Sequence, residues 1–222
     1  MEMKSIVCYT IMKCTQGLGG SLLAEDKNPK NEEKDLKKDI MLYLHDLVYV
    51  LSAIVVVMLL VFRLVVVSGS SMYDTLKHGD YLLLLSNTFY QEPERGDIVV
   101  ISKESFDNGA PIVKRVIATE GQTVDIDFEE GIVYVDGDPL EEPYSYTPTN
   151  NAGGVEFPLT VYEGFVFVLG DNRNGSRDSR DPSIGMIDTR QILGKAVLLV
   201  FPGTGERGNI APRDFRRIGA MK

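Results

Sequence analysis

The sequence predicts a mostly β protein: an antiparallel β-sheet domain, folded as a sandwich or partly open barrel, preceded by one transmembrane α-helix. Three observations carry this expectation. From Leu47 to Phe62 the chain reads LVYVLSAIVVVMLLVF, sixteen residues without a charge, and after Arg63 the run resumes as LVVV to Val67. Beyond it come short β-branched runs bounded by Gly, Asp, Asn or Pro: YLLLLS, DIVVIS, IVKRVIAT, TVDIDF, GIVYVDG, FVFVLG and GKAVLLVF. No second long helical period follows the apolar run.

Residues 1–40 mix Lys, Glu, Asp and Asn around a Gly-Gly turn and are expected to form a disordered cytoplasmic tail; Met41 offers an alternative start. Residues 41–67 are expected to be the anchor. A span needs ~20 residues at a rise of ~1.5 Å, and an Arg near one end can snorkel to the interface. A buried core helix would be shorter, and a removable targeting signal would need a small-residue cleavage site soon after a short apolar core. Lys34, Lys37 and Lys38 precede the span, against Arg63 and Lys77 after it, so the amino terminus is expected in the cytosol and residues 68–222 on the extracytoplasmic face. Within those residues Asp136-Gly137 marks a tight hairpin after GIVYV. Tyr144–Pro158, YSYTPTNNAGGVEFP, is rich in turn formers and is expected to be a mobile loop.

The 222 residues suffice for one domain and an anchor, and the net charge of -9 resides after the span, where fifteen basic side chains face twenty-four acidic ones. Such a surface argues against a nucleic-acid partner, whose phosphates need clustered Lys and Arg. Cys8 and Cys14 match neither a redox pair nor a zinc half-site, so no metal is expected, and the domain after the span has no cysteine to form disulfides.

Chemistry concentrates in three segments. Ser68, Ser70 and Ser71 are candidate nucleophiles, but a hydroxyl needs a base to take its proton. The two histidines fit poorly: His45 lies at the cytosolic edge of the span, and His78 reads as an exposed turn residue. Lys114 interrupts the strand-like PIVKRVIAT. Buried there, it would lose charge and become a base near neutral pH; with its head in solvent, it would be an ordinary strand lysine. GDNRNGSRDSR, Gly170 to Arg180, alternates acid and base and fits either a solvated loop or a paired network.

Together these segments resemble the type I signal peptidase family, membrane-anchored serine proteases that remove signal peptides from exported proteins. GSSMYDTL looks like the family's G-x-S-M-x-P-T-L segment, RGDIVV like R-G-D-I-V, VKRVIATEGQTV like its lysine segment, and GDNRNGSRDSRDPSIG like G-D-N-R-x-x-S-x-D-S-R, in the family's order from Val67 to about Pro202. The resemblance implies Ser71 as nucleophile, Lys114 as general base and Ser176 as the serine that orients the lysine amine. It implies ion pairs among Asp171, Arg115, Asp178 and Arg180. Met72, Leu76 and Val113 would line shallow pockets that accept Ala at the first and third residues before the cut. The oxyanion positions are Ser71, through its backbone N–H, and Gly69. The substrates would be signal-peptide-bearing pre-proteins lying extended beside the site, with membrane lipid and the secretion translocon nearby and no cofactor.

Two departures matter. Gly69 stands where some relatives carry a serine whose hydroxyl completes the oxyanion hole, as in many relatives from Gram-positive bacteria, which leaves the second donor open. Asp74 replaces the family's usual proline. A self-cleaving repressor would share a Ser-Lys pair but carry a DNA-binding segment where this chain has its apolar run. A catalytically inactive, membrane-tethered β-domain acting as a scaffold would not need Ser71, Lys114 and Ser176 intact.

Overall fold

The computed structural model describes residues 29–205 and 212–221. Cys8, Cys14 and most of the expected tail lie outside the described residues. The chain divides into two compact units, Met1–Ala53 and Ile54–Lys222.

Helix α1 (Pro29–Val61) begins within the segment expected to be a disordered tail, whose Lys, Glu and Asp residues are good helix formers or favour a helix's first turn. Its stretch Lys37–Val61 is 25 residues long and apolar enough to cross a membrane. Leu47, Val48, Tyr49, Val50 and Leu51, five successive residues that point to every side of the helix, are all exposed, so the helix is apolar all round rather than amphipathic, as lipid contact requires.

The apolar run expected to continue as anchor to Val67 instead divides. The helix ends at Val61 and Phe62–Val66 become strand β1, paired antiparallel with β2 (Tyr81–Ser86), Phe62 opposite Leu85 and Val66 opposite Tyr81. A short β-branched run is equally good strand and helix by pattern alone. Here the pairing decides, because Val65 turns in against the core while Leu64 and Val66 face out.

The remaining strands are β3 (Ile98–Ile101), β4 (Ile112–Thr119), β5 (Thr123–Asp127), β6 (Ile132–Val135), β7 (Asp138–Pro139), β8 (Leu159–Thr160), β9 (Phe165–Leu169), β10 (Ile187–Asp188), β11 (Ile192–Phe201) and β12 (Gly219–Ala220). Among the described residues the large sheet runs β1-β2-β11-β3-β4-β9-β10, with β12 on the far half of β11, and a small sheet runs β7-β6-β5-β8. All pairings are antiparallel. The fold class is therefore mostly antiparallel β after one long apolar helix. Asp136 (φ 56°) and Gly137 (φ 88°) form the expected tight turn between β6 and β7, where a left-handed pair matches the strands' twist.

Apolar side chains collect in three buried clusters. One joins β2, β3 and β11 to Val67, Met72 and Leu76; the second joins β4 and β9 to the small sheet; the third lies along β3, β4, β9 and β10. β4 sits between β3 and β9 and contributes to all three, and its six central side chains, 113–118, are all buried.

Candidate active site

Residues 67–80 form a loop whose neck is closed by Val67 N–H donating to Asp80 O (2.8 Å) and Gly79 N–H to Val67 O (2.9 Å). Inside it, Tyr73 N–H donates to Ser70 O and Leu76 N–H to Met72 O, a tight helical turn that drives Met72 and Leu76 into the core and leaves Ser68, Gly69 and Ser70 exposed. Ser71 is half-buried at the junction. Its loop is tied to the chain after β9: Asn172 N–H donates to Ser71 O at 3.0 Å, and Asn172 Nδ2 to Ser70 O at 3.1 Å.

Lys114, central on β4 opposite Val99, is 2 % exposed. Its Nζ lies 2.7 Å from Ser71 Oγ and donates to Val113 O at 3.0 Å. Burial pulls the lysine down to about 8; Asp178 and Asp171 resist that fall and Arg180 assists it. A hydroxyl within hydrogen-bond reach of a buried amine that is easily neutralised is the geometry of an activated serine.

The acid and base residues around this pair form a network. Arg115 grips Asp171 with two parallel bonds (Nε to Oδ1 2.9 Å, Nη2 to Oδ2 2.8 Å), and Arg180 grips Asp178 likewise (2.8 and 2.9 Å). All four are buried, so the charges survive only because each fork meets its carboxylate. Asp178 also accepts from Gly170 N–H at 3.0 Å, and Asp171 from Thr75 Oγ1 at 2.6 Å, which ties the nucleophile's turn to the network.

Three expected roles differ from what the structure holds. Ser176 Oγ is buried with no hydrogen-bond partner; the amine it was expected to orient bonds Val113 O instead, and the Ser176 hydroxyl packs over Gly170. The Gly69 N–H, an expected oxyanion donor, is directed at His78 Nδ1 at 3.2 Å, so in this conformation it is committed elsewhere. His78 itself is half-buried rather than an exposed turn residue. Met72, Leu76 and Val113 do come together, in one apolar cluster, but all three are buried. Asp74, in place of proline, is exposed and pairs with Lys77 at 3.4 Å.

Other contributors carried no signal in the sequence. The segment expected to be mobile, Tyr144–Pro158, and Glu142 just before it are held by buried arginines: Arg173 reaches Glu142 (2.6 and 2.5 Å) and Thr149 Oγ1 (3.0 Å), Arg180 reaches Asn151 O (2.8 Å), and the Arg115 guanidinium stacks on the Tyr144 ring at 3.9 Å. Its turn-rich composition hides partners that lie far away along the chain. Among the described residues no three His, Cys, Asp or Glu side chains are grouped to hold a metal.

A half-buried serine hydroxyl 2.7 Å from a buried lysine amine, on an antiparallel sheet that follows an apolar helix, is the arrangement of a serine hydrolase. Residues 40–201 match the model of the family described as signal peptidase, peptidase S26, and the chain belongs to that family. It is similar to signal peptidase I T of Bacillus subtilis (strain 168), 35 % identical over 81 % of this chain and 96 % of the relative, and to the probable signal peptidase I-1 of Synechocystis sp. (strain ATCC 27184 / PCC 6803 / Kazusa), 36 % identical over 68 % and 79 %. A solved signal peptidase I from Enterococcus faecalis V583 is 32 % identical over 47 % of this chain and 97 % of its own, with a TM-score of 0.39. The activity is that of signal peptidase I, a serine endopeptidase that cleaves signal peptides from secretory pre-proteins, and the long apolar helix is its membrane anchor.

Proposed function

We propose that Ser71 and Lys114 carry the cleavage, with Lys114 as the only base. The observation that supports this reading is the 2.7 Å approach of an amine held near pKa 8 by burial to a half-buried hydroxyl. Neutral Lys114 takes the Ser71 proton as Oγ attacks the scissile carbonyl, and the Ser71 N–H meets the oxyanion that forms. The ammonium then protonates the departing amine, leaving an acyl ester on Ser71. Lys114 next takes a proton from water as its oxygen attacks the ester, then returns that proton to Ser71 Oγ as the acyl–oxygen bond breaks, which frees the product acid and restores the neutral amine and the hydroxyl. Arg115–Asp171 and Asp178–Arg180 hold the pair in register. Ser176 joins the amine only after a change in its side chain. Met72, Leu76 and Val113 form the floor beneath subsites for small residues, giving cleavage after Ala-x-Ala, and the substrate lies extended as an added strand.

The catalytic unit faces the extracytoplasmic side, near membrane lipid and the translocon, with the amino terminus in the cytosol and no nucleic-acid partner. Protease added outside intact cells is expected to digest the region after Val67; its protection would reverse the orientation. In detergent, the full chain is expected to cut an Ala-x-Ala precursor, and Ser71→Ala and Lys114→Ala to lose cutting altogether. Full activity in Lys114→Ala would remove the proposed base.

A further inference from the structure

The ladder that closes the nucleophile's loop has two backbone rungs, between Val67 and Asp80 and between Gly79 and Val67. The next donor along, the Gly69 N–H, meets a side chain: His78 Nδ1 accepts it at 3.2 Å, so the imidazole stands where a strand carbonyl would otherwise be. Accepting at Nδ1 requires that nitrogen to be free of a proton, with the ring hydrogen on Nε2.

His78 is well placed to hold a neighbour because its own backbone is held. Its carbonyl accepts from Gly205 N–H at 3.2 Å and lies so close to Gly203 that a Cβ there would sit 2.2 Å from the oxygen. Gly69, by contrast, is exposed at φ 103°, with open space where a Cβ would point. Packing does little to fix it, and a glycine samples many conformations unless a bond selects one.

We propose that His78 is a positioning residue for the nucleophile: by accepting the Gly69 N–H it fixes the backbone two residues before Ser71, and so the direction of the Ser71 N–H that must meet the oxyanion. This rests on Ser71 being the nucleophile proposed above. The bond acts on geometry at the reacting centre, so its loss falls on the chemical step more than on substrate binding.

The full chain in detergent, cutting an Ala-x-Ala precursor, provides the test. His78→Ala removes the acceptor, whereas His78→Asn restores one, since Asn Oδ1 is as many bonds from Cα as His Nδ1. The expected result is a fall in kcat of about tenfold for His78→Ala with KM within about twofold, and recovery in His78→Asn to within about threefold of the native rate. Thermal melting of both variants separates a repositioned site from a misfolded one. Native rates in both variants, or an equal loss in both with native melting, would overturn the inference. Ser71→Ala in the same assay keeps the two readings apart. If that variant still cuts, the nucleophile is wrong; if it is inert while His78→Ala cuts normally, only the role of His78 is lost.

Discussion

At Lys114, burial and charge oppose each other. Asp178 and Asp171 favour the ammonium, but loss of water outweighs them and brings the group from 10.5 to about 8. The kcat/KM for precursor cleavage should therefore rise with pH through about 8 and level off above it, as the neutral amine becomes the populated form. The same shift is a stability statement. Between about 8 and 10.5 the unfolded chain holds more protons at this site than the folded one, so the lysine's contribution to stability improves as pH rises through that window. Below about 8 both states are protonated and the full penalty, on the order of 3 kcal/mol, is present. Lys114→Met should thus be inactive yet melt higher than the native chain at pH 7, with the advantage shrinking toward pH 10. A lower melting temperature at pH 7 would show the charge to be better compensated than its burial implies. Gly170 sets a second limit at this scale: a Cβ there would lie 2.2 Å from Ser176 Oγ and 2.4 Å from Ser71 O. Gly170→Ala should cost roughly 1–3 kcal/mol in chemical denaturation and slow cleavage by about 100-fold, because Ser71 must shift.

Among the elements, β4 and the segment after β7 do the organising. Successive residues on β4 supply the amine and the guanidinium that grips Asp171, while β3 and β9 on either side keep both dry. The segment from Glu142 to Asn151 then seals the charges from above, through Glu142 on Arg173 and the Tyr144 ring on Arg115. Burial and the Glu142 carboxylate push the Tyr144 phenol up to about 12, consistent with an enclosed site. Glu142→Ala would leave the fully buried Arg173 without its carboxylate. The expected cost is about 3–5 kcal/mol by denaturant titration, with cleavage falling alongside as the network around Gly170 loosens. An unchanged midpoint would mean that water replaces the carboxylate freely.

For the molecule as a whole, the junction at Val61 and Phe62 determines what can be cut away. β1 pairs with β2 along five residues and turns Val65 into the core. Removing residues 1–61 should leave a domain that still melts cooperatively. Removing residues 1–67 strips that strand, exposes the edge of β2, and should give a chain that aggregates or loses its melting transition. Equal behaviour of the two truncations would show β1 to be dispensable.

How much of this could be read along the chain depends on the range of the forces involved. Apolar length, strand alternation and the Asp136-Gly137 turn are local properties, so the helix, the sheet class and the hairpin were legible without coordinates. Ser71, Lys114, Asp171 and Asp178 stood out as candidates through the family resemblance of their segments, since the residues alone left Lys114 and Gly170–Arg180 equally open to a solvated reading. The division of the apolar run was not legible, since Phe62–Val66 suits lipid and sheet equally and only the presence of β2 beside it settles the matter. The anchoring of Tyr144 and Glu142 was hidden too, because their arginines lie on β4 and after β9 and meet them only when the sheets close. The sequence by itself determined which chemical groups are available. The tertiary structure decided which of them are dry, paired and within reach, because desolvation and hydrogen bonding depend on neighbours in space.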